Sequence, residues 1–432
     1  MVSTKKWTLA TAIAAAIALP ATALATTAGY FQLGYSSISD GMAGATAALP
    51  QDSMVQAINP AGIAFVGSRL DLGVAGFWPH RSYTSGAPAG YYPYPGSYSS
   101  KSNFYLIPHV GYSQRLSHNN YVGIAIYGNG GMSSNYNSGS AVGPFYDGQT
   151  GVNLSQLFVQ ATYARKFMRH DAIGLSLIYA RQSFSADGLS NFAYDSTNPN
   201  ALSGNGVSTS SGVGFKVGGQ FRLMPGINLG IAYSPRMSMS KFSKYSGLFA
   251  GGGRFDIPAN GVIGLAFKPT SSQVLAFDFQ RIYYNDVPAI ANSGPTNDDQ
   301  CGPGGCLGNV QDSDALGAPG GAGFGWQNVS VYKLGYQIAV SHAVTARVGF
   351  AYNTQPIPSS QVLLNVLAPG VIQRHVTAGF TVRTARHQDF TMAAMYGLPQ
   401  SVYGNAPAGF GGAPIKISLH EYQVEANWGW KF

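Results

Sequence analysis

Basic and amide side chains recur at alternate positions in several stretches of this chain, a spacing that places them on one face of a β-strand. About a short turn at residues 341–343, Gln337 and Arg347 share the polar parity and fall opposite one another, with Lys333 further along the same face. Lys216, Arg222, His375 and Arg383 have that parity in their own stretches. Groups of this kind hold a carboxylate through charge-assisted hydrogen bonds. The same groups also knit structural networks with acids such as Asp278. Arg347 is the first candidate for a ligand contact. Arg347→Ala should then weaken binding of a carboxylated ligand but not of an uncharged aromatic one, and equal loss of both would mark a structural role.

Other chemistries find less support. The eight His are dispersed, and neither a GxSxG elbow nor a GxxxxGK[ST] loop occurs, so no catalytic or nucleotide-driven activity is expected. No cofactor or metal is expected either. Asp298, Asp299, Asp312 and Asp314 offer oxygens of the kind calcium takes, but their spacing is not an EF-hand, and a solvated loop at 284–328 is favoured. The only cysteines, Cys301 and Cys306, flank a CGPGGC turn. A local disulfide suits an exported chain. A structural zinc would need four ligands, and no His lies nearby.

The elements that must position these residues are strands. Charged residues make up 10% of the 432, where a soluble protein carries about 25%. Their place is taken by Gly (56), Tyr (26), Phe (23) and small polar residues. Disordered chains and coiled coils are excluded by that balance. The +8 net charge is scattered rather than massed, so nucleic acid is not an expected partner. Residues 1–25 have the form of a secretory signal: Lys5 and Lys6, an apolar run at 7–19, Pro20, then Ala23-Leu24-Ala25. Beyond it no apolar run approaches the roughly 20 residues of a membrane helix. At the other end YQVEANWGWKF alternates perfectly and closes on Phe432, which resembles the signal read by the outer-membrane barrel assembly machinery.

Alternation predicts strands at 69–78, 104–115, 121–128, 155–166, 172–181, 213–223, 227–234, 260–268, 274–283, 329–340, 344–353, 373–383, 388–396 and 420–432. The connections between them alternate without exception between long (19 to 45 residues) and short (3 to 5 residues). A sandwich has no reason for that, whereas an outer-membrane barrel has short periplasmic turns and long external loops. The expected fold is therefore all-β: a 14-stranded antiparallel transmembrane barrel, residues 69–432, in the bacterial outer membrane with lipid and lipopolysaccharide around it. Residues 26–68 carry Leu49, Met54, Val55, Ile58, Ile63, Phe65 and Val66, which need a dry surface. The barrel interior is the one available, so this segment is expected to be a plug.

The stretch AGYFQLGYSSISDGMAGATAA, running into NPAG at 59–62, resembles the hatch of the FadL/TodX family of outer-membrane transporters, with Asn59, Pro60 and Ala61 as its NPA motif. GWQNVSVYKLGYQIAVSHAVTARVGFAYNTQPIP at 325–358 is similar to the family's late hairpin, and IPANGVIGLAFKP with the following Asp278 strand is also family-like. The resemblance implies capture of a hydrophobic compound at external loops, a pocket beside the hatch, and passive lateral release through a kinked third strand. Fatty acids or hydrocarbons are the implied partners, long-chain fatty acids first. Here the third strand runs into Asn129 and its neighbours, so Gly128, Gly130 and Gly131 are candidates for the opening, though ordinary loop entry explains them too. Tyr91, Tyr92, Tyr94 and Tyr98 suit a landing surface or a rigid loop among headgroups. The rival readings are a general or aromatic-hydrocarbon diffusion porin and a structural or adhesin-like barrel.

Overall fold

The computed structural model describes residues 27–137, 143–295 and 314–432. The signal segment, Cys301 and Cys306, and Asp298, Asp299 and Asp312 lie outside them. The strands are β1 (Arg69–Ser85), β2 (Gly96–Ser99), β3 (Tyr105–Arg115), β4 (Asn120–Ser133), β5 (Gly151–Lys166), β6 (Ala172–Asp187), β7 (Ser208–Met224), β8 (Ile227–Ser234), β9 (Asn260–Phe267), β10 (Gln273–Ile282), β11 (Val329–Ala339), β12 (Val344–Asn353), β13 (Arg374–Ala385), β14 (Gln388–Asn405) and β15 (Pro414–Lys431). Each pairs antiparallel with its neighbour, and β15 pairs with β1 from Arg69↔Lys431 to Ser85↔Ile415, closing the ring. The short β2 hydrogen-bonds only the outer end of β1. The barrel itself has fourteen strands.

Period two explains the wall. On β6, Ile173, Leu175, Leu177 and Tyr179 face outward and exposed, while Ser176, Ile178, Ala180 and Gln182 face inward and are buried. The same outward apolar band continues through Val213, Phe215 and Val217 on β7 to Tyr422 and Val424 on β15. An outer surface of this composition suits lipid, and pairing of β15 with β1 removes the two free edges that an open sheet would have there. Strands run further into the external loops than alternation predicts: β1 to Ser85, β14 to Asn405, β15 from Pro414. Beyond the bilayer the outward face no longer has to be apolar, so the hydropathy pattern fades while the hydrogen-bond ladder continues.

Residues 27–66 form short turns of helix with local caps. The Ser36 side chain accepts from Ser39 N, Asp52 from Val55 N, and Asn59 from Ala61 N. Such caps satisfy N–H groups that turns this short leave open. The segment touches β1, β3 and β4 through Ser53–Ala57, β5 to β7 through Pro60–Gly62, and β13 to β15 through Ser37–Asp40. Where it meets the wall, inward glycines let backbone approach backbone. A Cβ on Gly218 would stand 2.3 Å from Asn59 Oδ1, and Gly111, Gly174, Gly230, Gly335 and Gly349 likewise face residues 42–61. On the external side, the loop around Val362–Asn365 is buried. It is tied by Trp326 Nε1 to Asn365 Oδ1 (2.6 Å) and by Tyr136 OH to Val366 O (3.0 Å).

Candidate internal ligand site and wall gap

The inward faces of β7 and β11 bring two ammonium groups to the N-terminal segment. Lys216 Nζ donates to Ala57 O, and Lys333 Nζ donates to Leu33 O at 2.7 Å. Both line one cavity, with Phe31, Leu33, Tyr35, Phe158, Met237, Ile257 and Val262 as its apolar walls and Asn129, Asn260 and Gln280 as polar points. An ammonium has three donors, so each lysine keeps donors beyond its carbonyl partner. Asp278 stands opposite Lys333 in the ladder and accepts from Ala47 N at 2.9 Å. Two cations in a chamber of mixed apolar and amide lining can orient a chain that carries one anionic end.

The other expected residues divide by height along their strands. Arg347 is buried but already engaged: Nε donates to Gln337 Oε1 (2.8 Å), Nη1 to Thr381 Oγ1 (2.6 Å) and Nη2 to Gln51 Oε1 (3.1 Å). It joins the wall to the N-terminal segment, away from the cavity. His375 is fully buried, 3.5 Å from Glu421 Oε1. Arg222 and Arg383 have the inward parity but are exposed at the short-turn rim. Arg222 Nη1 meets His170 Nε2 at 2.7 Å, and Arg383 lies opposite Asp389. Parity sets the face of a strand and says nothing of depth.

Asn59 is the hub of the NPA turn. Its Nδ2 donates to Ala47 O (2.9 Å) and Gly219 O (3.0 Å), while its Oδ1 caps Ala61 N (3.1 Å). Other anchors went unrecognised in the sequence. Ser53 N and Oγ donate to Asp71 Oδ2 (2.9 and 2.5 Å), Arg69 Nη1 to Gln51 O (2.9 Å), and Gln423 Nε2 to Asp40 Oδ2 (2.6 Å). Burial pushes the Asp52 carboxyl up to about 6, helped by Asp71 and opposed by Arg69. Burial also raises Asp40. Among the described residues, no group of His, Cys, Asp and Glu is placed to hold a metal.

Gly128, Gly130 and Gly131 lie at a bulge. The β4–β5 register shifts between Gly128 and Gly130, leaving Asn129 to turn inward, where its Nδ2 donates to Gln156 Oε1 at 2.9 Å. Below the bulge β4 also pairs with β3, but that ladder stops at His109↔Tyr127 although both strands continue outward. The outer part of β4 meets the N-terminal segment instead. Phe31 bridges Gly130, Gly131 N donates to Tyr30 O (3.2 Å), and Gln32 Nε2 donates to Gly128 O (3.0 Å). A Cβ on Gly130 would lie 1.8 Å from Tyr30 O, so only glycine allows this approach. Above His109↔Tyr127 the wall between β3 and β4 is therefore not sealed by strand pairing, and residues 30–32 stand in the gap.

No protein-family model and no curated protein matches the sequence. Solved structures do match in fold. The chain is similar to the Pseudomonas putida toluene transporter TodX, at 16% identity with a TM-score of 0.65 over 93% of this chain and 99% of that one. It is similar to a Pseudomonas aeruginosa FadL homologue, at 13% identity with a TM-score of 0.66 over 93% of this chain and all of that one (100%). The Ralstonia pickettii toluene transporter TbuX matches at 15% identity and a TM-score of 0.64, over 93% and 99% of the two chains. At such identities the likeness establishes the fold.

Proposed function

We propose that this chain is an outer-membrane channel of the FadL/TodX family for hydrophobic compounds, with long-chain fatty acids as its substrates. Residues 26–68 act as the hatch. A ligand captured at the external loops passes to the cavity beside the hatch and leaves sideways between β3 and β4 when residues 30–32 withdraw. The observation that carries this reading is the cavity that sets Lys216 and Lys333 among aromatic and aliphatic side chains, next to a wall whose strand pairing stops at His109↔Tyr127. The toluene transporters among the structural neighbours support a hydrophobic cargo. An uncharged hydrocarbon has no use for two ammonium groups, whereas a carboxylate does. Transport is passive, since the cargo moves from a dilute aqueous phase into lipid.

The test is binding and delivery by the full-length protein. Purified protein should bind dodecanoate, and a fatty acid should be found in its lumen by mass spectrometry after mild extraction. Cells expressing it should take up dodecanoate faster than vector controls. Protein that binds neither fatty acid nor hydrocarbon would end this reading.

A further inference from the structure

A second, smaller cavity lies where the β3–β4 ladder stops, lined by Gln32, Tyr35, Ile107, His109, Tyr127 and Glu425 among others. Tyr35 lines both this cavity and the larger one. Its ring packs edge-on against Tyr127 at 4.9 Å, and its hydroxyl donates to Asn129 Oδ1 at 3.3 Å. A molecule going from the larger cavity to the gap therefore passes Tyr35 and enters the smaller one.

The two chambers differ in the groups they present. The first presents the ammonium groups of Lys216 and Lys333. The second presents Glu425, which is 3% exposed and whose Oε1 makes no hydrogen bond among the described residues although His109 Nδ1 lies 3.3 Å away. Behind it the acid is doubled. Gln423 Nε2 lies 3.4 Å from Glu425 Oε2 and donates to Asp40 Oδ2 at 2.6 Å, so Asp40 of the N-terminal segment and Glu425 of the wall form one buried carboxyl cluster. Carboxyl groups at both ends of this link make the wall rich in hydrogen-bond acceptors. The one basic group on the cavity wall is the His109 imidazole, whose Nε2 is turned to Asn427 Oδ1 at 3.3 Å. An anion entering here would leave two ammonium groups for an acceptor-rich wall, at a large desolvation cost. A hydroxyl or a protonated carboxyl would instead give Glu425 Oε1 the donor it lacks.

We propose that the second cavity is a head-group filter on the way to the wall gap. It passes chains with an uncharged head, such as an alcohol or a protonated carboxylic acid, and holds back permanently anionic ones, with Glu425 as the residue that sets the selection. This rests on the lateral route proposed above and adds a rule about what can use it.

Dodecanol, dodecanoate and dodecanesulfonate, which stays anionic at any working pH, separate the two ideas. Purified full-length protein should bind dodecanesulfonate in competition with dodecanoate. Cells expressing the protein should nevertheless take it up about tenfold or more slowly than dodecanol, after subtraction of vector controls. Glu425→Gln should bring that ratio to within about threefold of one. Glu425→Ser serves as a second variant, and heat-modifiable gel migration confirms that each barrel is folded. Sulfonate uptake as fast as dodecanol in the unaltered protein, or an unchanged ratio in both folded variants, would overturn the filter. A lack of protein-dependent dodecanol uptake would instead overturn the transport reading beneath it.

Discussion

At the scale of single residues, the division is between cations with donors to spare and cations already committed. Among the described residues, Lys216 and Lys333 each make one hydrogen bond, to a backbone carbonyl. Lys216→Met or Lys333→Met keeps the length of the side chain and removes the charge. Each should cost dodecanoate about tenfold more affinity than it costs toluene, the scale of one charged hydrogen bond, as read by calorimetry. Arg347 spends its guanidinium on Gln337, Thr381 and Gln51. Arg347→Ala should therefore weaken dodecanoate and toluene alike and quicken proteolysis near Gln51. A loss confined to dodecanoate would restore Arg347 to the ligand. The sequence made the inward face of these residues legible, because alternation carries parity. It could not reveal that Arg222 and Arg383 sit at the rim, since height along a strand depends on where the bilayer cuts the barrel. Asp40 and Glu425 were invisible for another reason. They are distant in the chain, and each is unremarkable until the Ser37–Asp40 turn is laid on β15.

At the scale of elements, every predicted strand is present because lipid demands an apolar residue at each outward position. β2 was missed because it pairs outside that constraint, with polar GSYS on the end of β1. Part of the glycine excess has a local cause as well, since inward glycines are where the N-terminal segment reaches the wall. Gly218→Val should expel the NPA turn, because even its Cβ would stand 2.3 Å from Asn59 Oδ1. Faster protease cleavage at 59–66 with an intact barrel would register this. Docking of the segment also depends on pH through Asp52, whose carboxyl is raised by burial to about 6 from 3.8. The docked state prefers the protonated form, so its contribution is complete below the ordinary value and is lost as pH rises through about 6. Hydrogen exchange over residues 52–58, corrected for intrinsic rates, should be slower at about pH 5 than at about pH 7, and Asp52→Asn should flatten the difference.

At the scale of the whole molecule, a ring of strands around a seated N-terminal segment should exclude small hydrophilic solutes. Liposomes containing the full chain should not swell in arabinose, and removal of residues 27–58 should make them swell. Swelling with the intact chain would favour an open porin. The low charge that first pointed to a membrane thus has two sources: an outer face that suits lipid, and an N-terminal segment against the inner wall whose charged residues are Asp40 and Asp52 alone. The seam carries a further consequence. β1 and β15 pair over seventeen positions from Arg69 to Ser85, and the segment inside the ring leads directly into β1. The last strand also touches what it closes around, since Gln423 of β15 reaches Asp40 of the segment. The C-terminal strand is therefore both the closing stave and the inspector of what has been enclosed. A chain with a badly seated N-terminus should stall during biogenesis, as an unsealed sheet, rather than mature into a leaky pore.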